Sequence, residues 1–177
     1  MKAYIIFLRG VTPTGKNKVP MTPLRQVLAA AGLSDVRTYI QSGNVLVRSG
    51  LTASQVEKLV HDEIKKYFGG DLVVVARTPA QLRQIFKRNP FEGVDTAKTY
   101  FTILSNKPDE SKVKTLVGQD FHPDMFVVSD KVVYVHCQVG YANTKLNNNF
   151  LEKKLGVSAT TRNCNTMSKL IELSNAS

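Results

Sequence analysis

An α+β protein is what this sequence predicts, on three observations. The run Ala3 to Leu8 is apolar or aromatic at every position, the pattern of a strand buried on both faces. Short strand patterns then alternate with amphipathic helical stripes through residue 77. A similar order recurs from about residue 98. With 177 residues and 42% hydrophobic content, the chain is long enough to bury a sizeable core, and its composition argues against disorder.

Taken in order, the first strand places Ile5 and Phe7 on one side and Tyr4, Ile6 and Leu8 on the other. Thr22 is placed to cap a helix with Pro23 at its first position, Leu24, Val27, Leu28 and Ala31 as its stripe, and Gly32 as its stop. Val36 to Tyr39 and Val45 to Arg48 flank Gln41-Ser42-Gly43-Asn44, a tight hairpin in which Gly43 supplies positive φ. Ser54 and Glu57 have capping-box spacing before a helix carrying Val56, Leu59, Val60, Ile64 and Tyr67 on one side, stopped by Gly69-Gly70. Leu72 to Arg77 is the next strand. This order, β-α-β-β-α-β, is the split βαβ or ferredoxin-like motif.

Thr78-Pro79 opens a linking helix with Leu82, Ile85 and Phe86 on one side, and Asn89-Pro90 closes it. Then come a strand from Tyr100 to Leu104, a short helix from Ser111 to Val117, and a hairpin of Met125 to Val128 with Val132 to His136. A helix with Leu146, Phe150, Leu151 and Leu155 follows, and a last one holds Leu170, Ile171 and Leu173. The expectation is two repeated ferredoxin-like (β-α-β-β-α) units packed into one compact body. Residues 1–77 form the first half, 78–97 a linking helix and loop, and 98–177 a second, degenerate half with a C-terminal helix.

The net charge of +10 is unevenly spread, since residues 1–50 carry seven Lys or Arg against one acid, Asp35. A positive face of that kind concentrates anions, from small phosphorylated molecules to nucleic acids. Cys137 and Cys164 are far apart and form no Cys-x-x-Cys arrangement, which suggests neither a disulfide framework nor a thiolate zinc site. No apolar run reaches the ~18–20 residues needed to cross a membrane, and Arg9 interrupts the first one, so the expected location is the cytoplasm.

Three polar clusters could carry chemistry. In the first, Gly10-x-x-x-x-Gly15-Lys16 matches the opening of a phosphate-binding P-loop. Asn17 stands where that motif needs a hydroxyl for Mg²⁺, however, and Pro20 interrupts the start of its helix, which argues against nucleotide hydrolysis. Arg9, Lys16, Lys18 and the loop amides suit a phosphate or carboxylate, and a solvated basic loop is the plainer alternative. Gln41, Ser42 and Asn44 offer donors and acceptors at the hairpin tip, where turn chemistry alone also accounts for Gly43 and Asn44. The third cluster, Thr161 to Thr166, has Arg162 and Asn163 just before the last helix, with Asn165 or Thr166 placed to cap it.

Hydrolytic chemistry has little support. His61 is expected on the solvent side of its helix, His136 lies in a strand, and His122 stands between Asp120 and Asp124 in a proline-containing loop; no metal or cofactor is expected. The hairpin strand Val45-Leu46-Val47-Arg48 has no aromatic residue to stack a base, so contact with nucleic acid would run through phosphates.

At these clusters the chain resembles the bacterial proteins grouped as domain of unknown function 1697. The matching stretches are Leu8-Arg9-Gly10, Gly15 to Met21, Arg37 to Val45, Asn89-Pro90-Phe91, and Thr161-Arg162-Asn163 with Asn165-Thr166. The chain departs at Thr12-Pro13-Thr14, where relatives more often carry an Asn-Val-Gly-like stretch, and this makes the loop stiffer. The resemblance implies a two-part α+β fold of repeated ferredoxin-like units and no particular reaction. The expected function is binding of a small anionic ligand by Arg9, Gly10, Gly15, Lys16, Asn17, Lys18, Gln41, Ser42, Asn44, Arg162 and Asn163, with Arg9, Lys16 and Arg162 converging on one site. The rivals are a binder of nucleic-acid phosphates and an enzyme acting on a phosphorylated small molecule, for which the chain shows no evident base or nucleophile.

Overall fold

A computed structural model describes residues 1–91 and 93–176; Glu92 of the linking stretch and Ser177 of the second half lie outside the described residues. The first sheet is built from β1 (Lys2–Arg9), α1 (Met21–Ala30), β2 (Ser34–Tyr39), β3 (Asn44–Ser49), α2 (Ala53–Phe68) and β4 (Val73–Arg77). Its strands lie in the order β2-β3-β1-β4, every neighbouring pair antiparallel. α3 (Pro79–Lys87) follows. The second sheet comes from β5 (Thr99–Leu104), α4 (Glu110–Val117), β6 (Met125–Ser129), β7 (Val132–His136), α5 (Asn148–Leu155) and β8 (Ala159–Asn163), in the antiparallel order β6-β7-β5-β8. α6 (Cys164–Asn175) ends the described chain. The fold is therefore mixed α+β with two four-stranded antiparallel sheets. Residues 1–83 together with the stretch from Leu170 onward form one compact unit, and residues 84–169 form the other.

β1 is buried on both faces as expected, Tyr4 to Leu8 all being 3% exposed or less. Tyr4, Ile6 and Leu8 pack with Val45 and Val47 of β3, Leu24 and Leu28 of α1, and Val56, Val60 and Ile64 of α2. Each such side chain stabilises the fold by about 1.5–3 kcal/mol relative to exposure. In the second unit Leu104, Val133 and Val135 pack against Leu116 of α4 and Leu151 and Leu155 of α5.

The helix starts differ from the sequence expectation. α1 opens at Met21 behind an extended Pro20 with no side-chain cap, and Thr22 instead accepts a hydrogen bond from Arg25. The capping box of α2 lies two residues ahead of Ser54 and Glu57: Thr52 Oγ1 accepts from the Gln55 amide, and Gln55 Oε1 accepts from the Thr52 amide. Tyr67 is 56% exposed, because the buried series advances four residues at a time, from Val56 through Val60 and Ile64 to Phe68.

β8 is the largest addition. Its Ala-Thr-Thr-Arg-Asn sequence has no apolar alternation; the strand pairs with β5 along its whole length, and hydroxyls add to that ladder, with Thr161 Oγ1 2.9 Å from Thr102 Oγ1 and donating to Asn148 Oδ1 at 2.9 Å. Two of the four edge strands, β4 and β8, share one arrangement. The Ala76 amide donates to Glu57 of α2 at 2.8 Å, and its carbonyl accepts from Arg77. The Ala159 amide donates to Glu152 of α5 at 2.8 Å, and its carbonyl accepts from Asn148.

Candidate functional site

The end of the first sheet where β1 stops and β3 begins gathers two of the three polar clusters. Arg9 closes β1 opposite Val73, half-buried, and the chain leaves through Gly10 at φ 81°. The loop then closes on itself. The Thr12 amide donates to the Asn17 carbonyl at 3.0 Å, the Lys18 amide donates to the Gly15 carbonyl at 3.2 Å, and Gly15 sits at φ 80°. Two amides of the glycine-rich stretch are thus engaged within the loop. Lys16 and Lys18 extend exposed from it, while Asn17 is half-buried beside Gly70, whose Cβ position lies 3.3 Å from the Lys16 carbonyl oxygen and 3.6 Å from Asn17 Oδ1. Lys16 stands five residues ahead of the first residue of α1, whereas a P-loop lysine sits where the helix begins.

The hairpin tip is fastened to the end of β1, beside this loop. The Leu8 amide donates to the Gly43 carbonyl at 2.8 Å. A Cβ on Gly43, which has φ 85°, would lie 2.8 Å from Leu8 Cβ and 2.9 Å from Val11 Cγ2. Only glycine fits there. Asn44 is buried, its Nδ2 donating to the Tyr39 carbonyl at 3.2 Å and to Ser42 Oγ at 3.0 Å, so its side chain shapes the turn. Gln41 and Ser42 are exposed. Arg9, Gly10, Gly15, Lys16, Asn17, Lys18, Gln41, Ser42 and Asn44 therefore belong to one end of the first sheet.

Arg162 and Asn163 belong to the second unit. Arg162 lies in β8 opposite Phe101, its Nη1 donating to Thr160 Oγ1 at 2.7 Å and to the Thr161 carbonyl at 2.9 Å. Burial of its guanidinium brings its pKa down to about 10, an effect the nearby Tyr141 partly offsets. Asn163 Oδ1 accepts from the Thr166 amide at 2.8 Å and is the cap of α6, the role expected of Asn165 or Thr166.

The remaining candidates have structural partners. His61, expected to face solvent, has Nε2 2.7 Å from Asp71 and Nδ1 3.1 Å from Asp62. Asp71 and then Asp62 raise its pKa above the ordinary 6.5. No sequence spacing announces this pairing, because Asp71 comes from the turn that leads into β4. Asp124 is buried, receiving Thr144 Oγ1 at 2.6 Å, and burial pushes the Cys137 thiol up to about 11. No group of three metal-binding side chains occurs among the described residues.

Two antiparallel sheets, one of them with a glycine- and lysine-bearing loop beside a hairpin tip at its end, make this a mixed α+β protein whose candidate site lies at that end. The chain belongs to the family described as protein of unknown function DUF1697, whose model matches residues 1–134. The match takes in the loop and the hairpin tip and stops within β7, ahead of Arg162 and Asn163. A solved structure of a conserved bacterial protein from Streptococcus pneumoniae is similar, with a TM-score of 0.79 and 21% identity over 98% of this chain and 98% of that one. At that identity the likeness concerns the fold. No curated protein matches the chain.

Proposed function

We propose that this is a protein of two repeated ferredoxin-like units that binds a small anionic ligand, bearing a phosphate or carboxylate, at the end of its first sheet. Support for the repeat comes from the two sheets, which share one strand order and one strand-helix-strand-strand-helix-strand succession. The observation that carries the binding reading is the Leu8–Gly43 hydrogen bond, because it holds the polar tip residues 41 and 42 beside the end of β1 from which the lysine-bearing loop departs. In this reading Lys16 and Lys18 supply charge, Arg9 supplies a directional donor, and Gln41 and Ser42 orient the ligand.

Thermal shift and calorimetry with nucleotides, sugar phosphates and inorganic phosphate test it. A specific ligand raises the melting temperature with concentration, and Lys16→Ala lowers its affinity by roughly 1.5–3 kcal/mol, the scale of a charge-assisted hydrogen bond. Arg162→Ala asks the same of the third cluster. Unchanged affinity in Lys16→Ala, Lys18→Ala and Arg9→Ala would remove the reading.

The net charge of +10 favours a second reading, contact with nucleic-acid phosphates. The two separate on salt: an oligonucleotide bound through several phosphates loses affinity steeply and log-linearly with salt, and a single small anion does so weakly.

A further inference from the structure

Arg25 of α1 is held by two hydroxyls, its Nη1 donating to Thr38 Oγ1 at 2.6 Å and its Nη2 to Thr22 Oγ1 at 2.9 Å. Neither partner carries charge, so both orient the guanidinium without neutralising it. Arg37 of β2 is different. Its Nη2 lies 3.2 Å from Asp35, and its Nη1 donates to the Leu173 carbonyl at 3.1 Å. Asp35 reaches it because the chain bulges between Ser34 and Arg37, with Asp35 at φ 48°. These two arginines and Thr38 line a groove of about 380 Å³ along β2, whose other walls are Val36, Leu46 and Leu173. Two cations and one carboxylate leave a single net positive charge beside an apolar wall.

We propose that this groove binds a monoanionic organic acid, its carboxylate on Arg25 and its apolar body along Leu46 and Leu173. The volume falls within the range of small-ligand sites, and apolar walls with a few fixed polar groups are their usual lining. A planar guanidinium already oriented by two acceptors suits a planar carboxylate. One net charge matches a monoanion better than it matches phosphate. This site is separate from the one at the loop and stands whether or not that reading holds.

Isotope-edited NMR with hexanoate and benzoate tests it, alongside the neutral hexanamide and benzamide and inorganic phosphate. The expected result is saturable shifts of the Val36, Thr38 and Leu46 amides with the acids, and none with the amides. Arg25→Gln should weaken benzoate binding at least tenfold, Arg25→Lys by less, and Lys16→Ala should leave it unchanged. The proposal fails if acids and amides shift the same resonances alike, if inorganic phosphate competes as well as benzoate, or if the shifts map to the loop and vanish in Lys16→Ala. Folding of Arg25→Gln is read from its amide spectrum. Should that variant not fold, the wild-type shift map and Arg25→Lys still decide.

Discussion

Gly43 is the residue on which the candidate anion site turns. A methyl group there would meet Leu8 Cβ at 2.8 Å and Val11 Cγ2 at 2.9 Å, on a backbone at φ 85° that L-residues rarely adopt. Gly43→Ala is therefore expected to cost about 1–3 kcal/mol of stability from strain and overpacking, measured by chemical denaturation. It should also weaken the binding of any ligand whose affinity Lys16→Ala lowers, since it moves the tip away from the end of β1. A second residue-scale expectation concerns Thr144. Thr144→Val keeps the shape but takes the 2.6 Å donor from the buried Asp124, at a cost of about 1–3 kcal/mol. Cys137, whose thiol is pushed up to about 11 by burial, should resist alkylation at pH 8 until the protein unfolds. Glycine at 43 is readable as a turn residue; the two atoms that exclude everything else come from positions 8 and 11 and are not.

At the scale of elements, α2 and the turn before β4 are tied by His61. Both ring nitrogens face carboxylates, which accept only from N–H groups when ionised, so the imidazolium form is the one held. Asp71 and Asp62 keep its pKa above 6.5, and His61 in turn lowers that of Asp71, while Lys58 and then His61 lower that of Asp62. The histidine's contribution to stability is complete below pH 6.5 and is lost as pH rises through its elevated folded value. The aspartates' contribution is present above about pH 4 and is lost as pH falls through their lowered values. His61→Gln should thus reduce the melting temperature more at pH 5.5 than at pH 9; a difference independent of pH would count against the ion pairs. Helices were legible in the sequence because apolar residues recur every three or four positions. β8 was not, because it is held by backbone pairing with β5 and by threonine hydroxyls and an asparagine, and hydropathy registers none of these.

For the whole molecule, the chain end belongs with its beginning. Residues from Leu170 onward group with residues 1–83, where Arg37 donates to the Leu173 carbonyl and Arg83 Nη1 donates to Asn175 Oδ1 at 2.9 Å. A chain ended at Lys169 should accordingly lose amide-exchange protection in β2 while β7 keeps its own. Unaltered exchange in β2 would show that α6 contributes nothing there. The candidate site was legible by residue type, since glycines, lysines and a polar hairpin tip stand out in any sequence. Its assembly was not, and neither was the Arg25 groove, because each depends on residues that only the register of β1, β2 and β3 brings side by side.

The side chains that occupy Ala76 and Ala159 have a consequence for how this protein behaves in a crowded solution. An exposed edge strand is a template on which a second chain can grow, and aggregation often begins there. In β4 and in β8 alike, the amide and the carbonyl of one alanine are already taken, by Glu57 and Arg77 in one case and by Glu152 and Asn148 in the other. An incoming strand would have to displace Glu57 and Arg77 from β4, or Glu152 and Asn148 from β8, at the point where it must register, so one edge of each sheet carries its own guard against fibril growth.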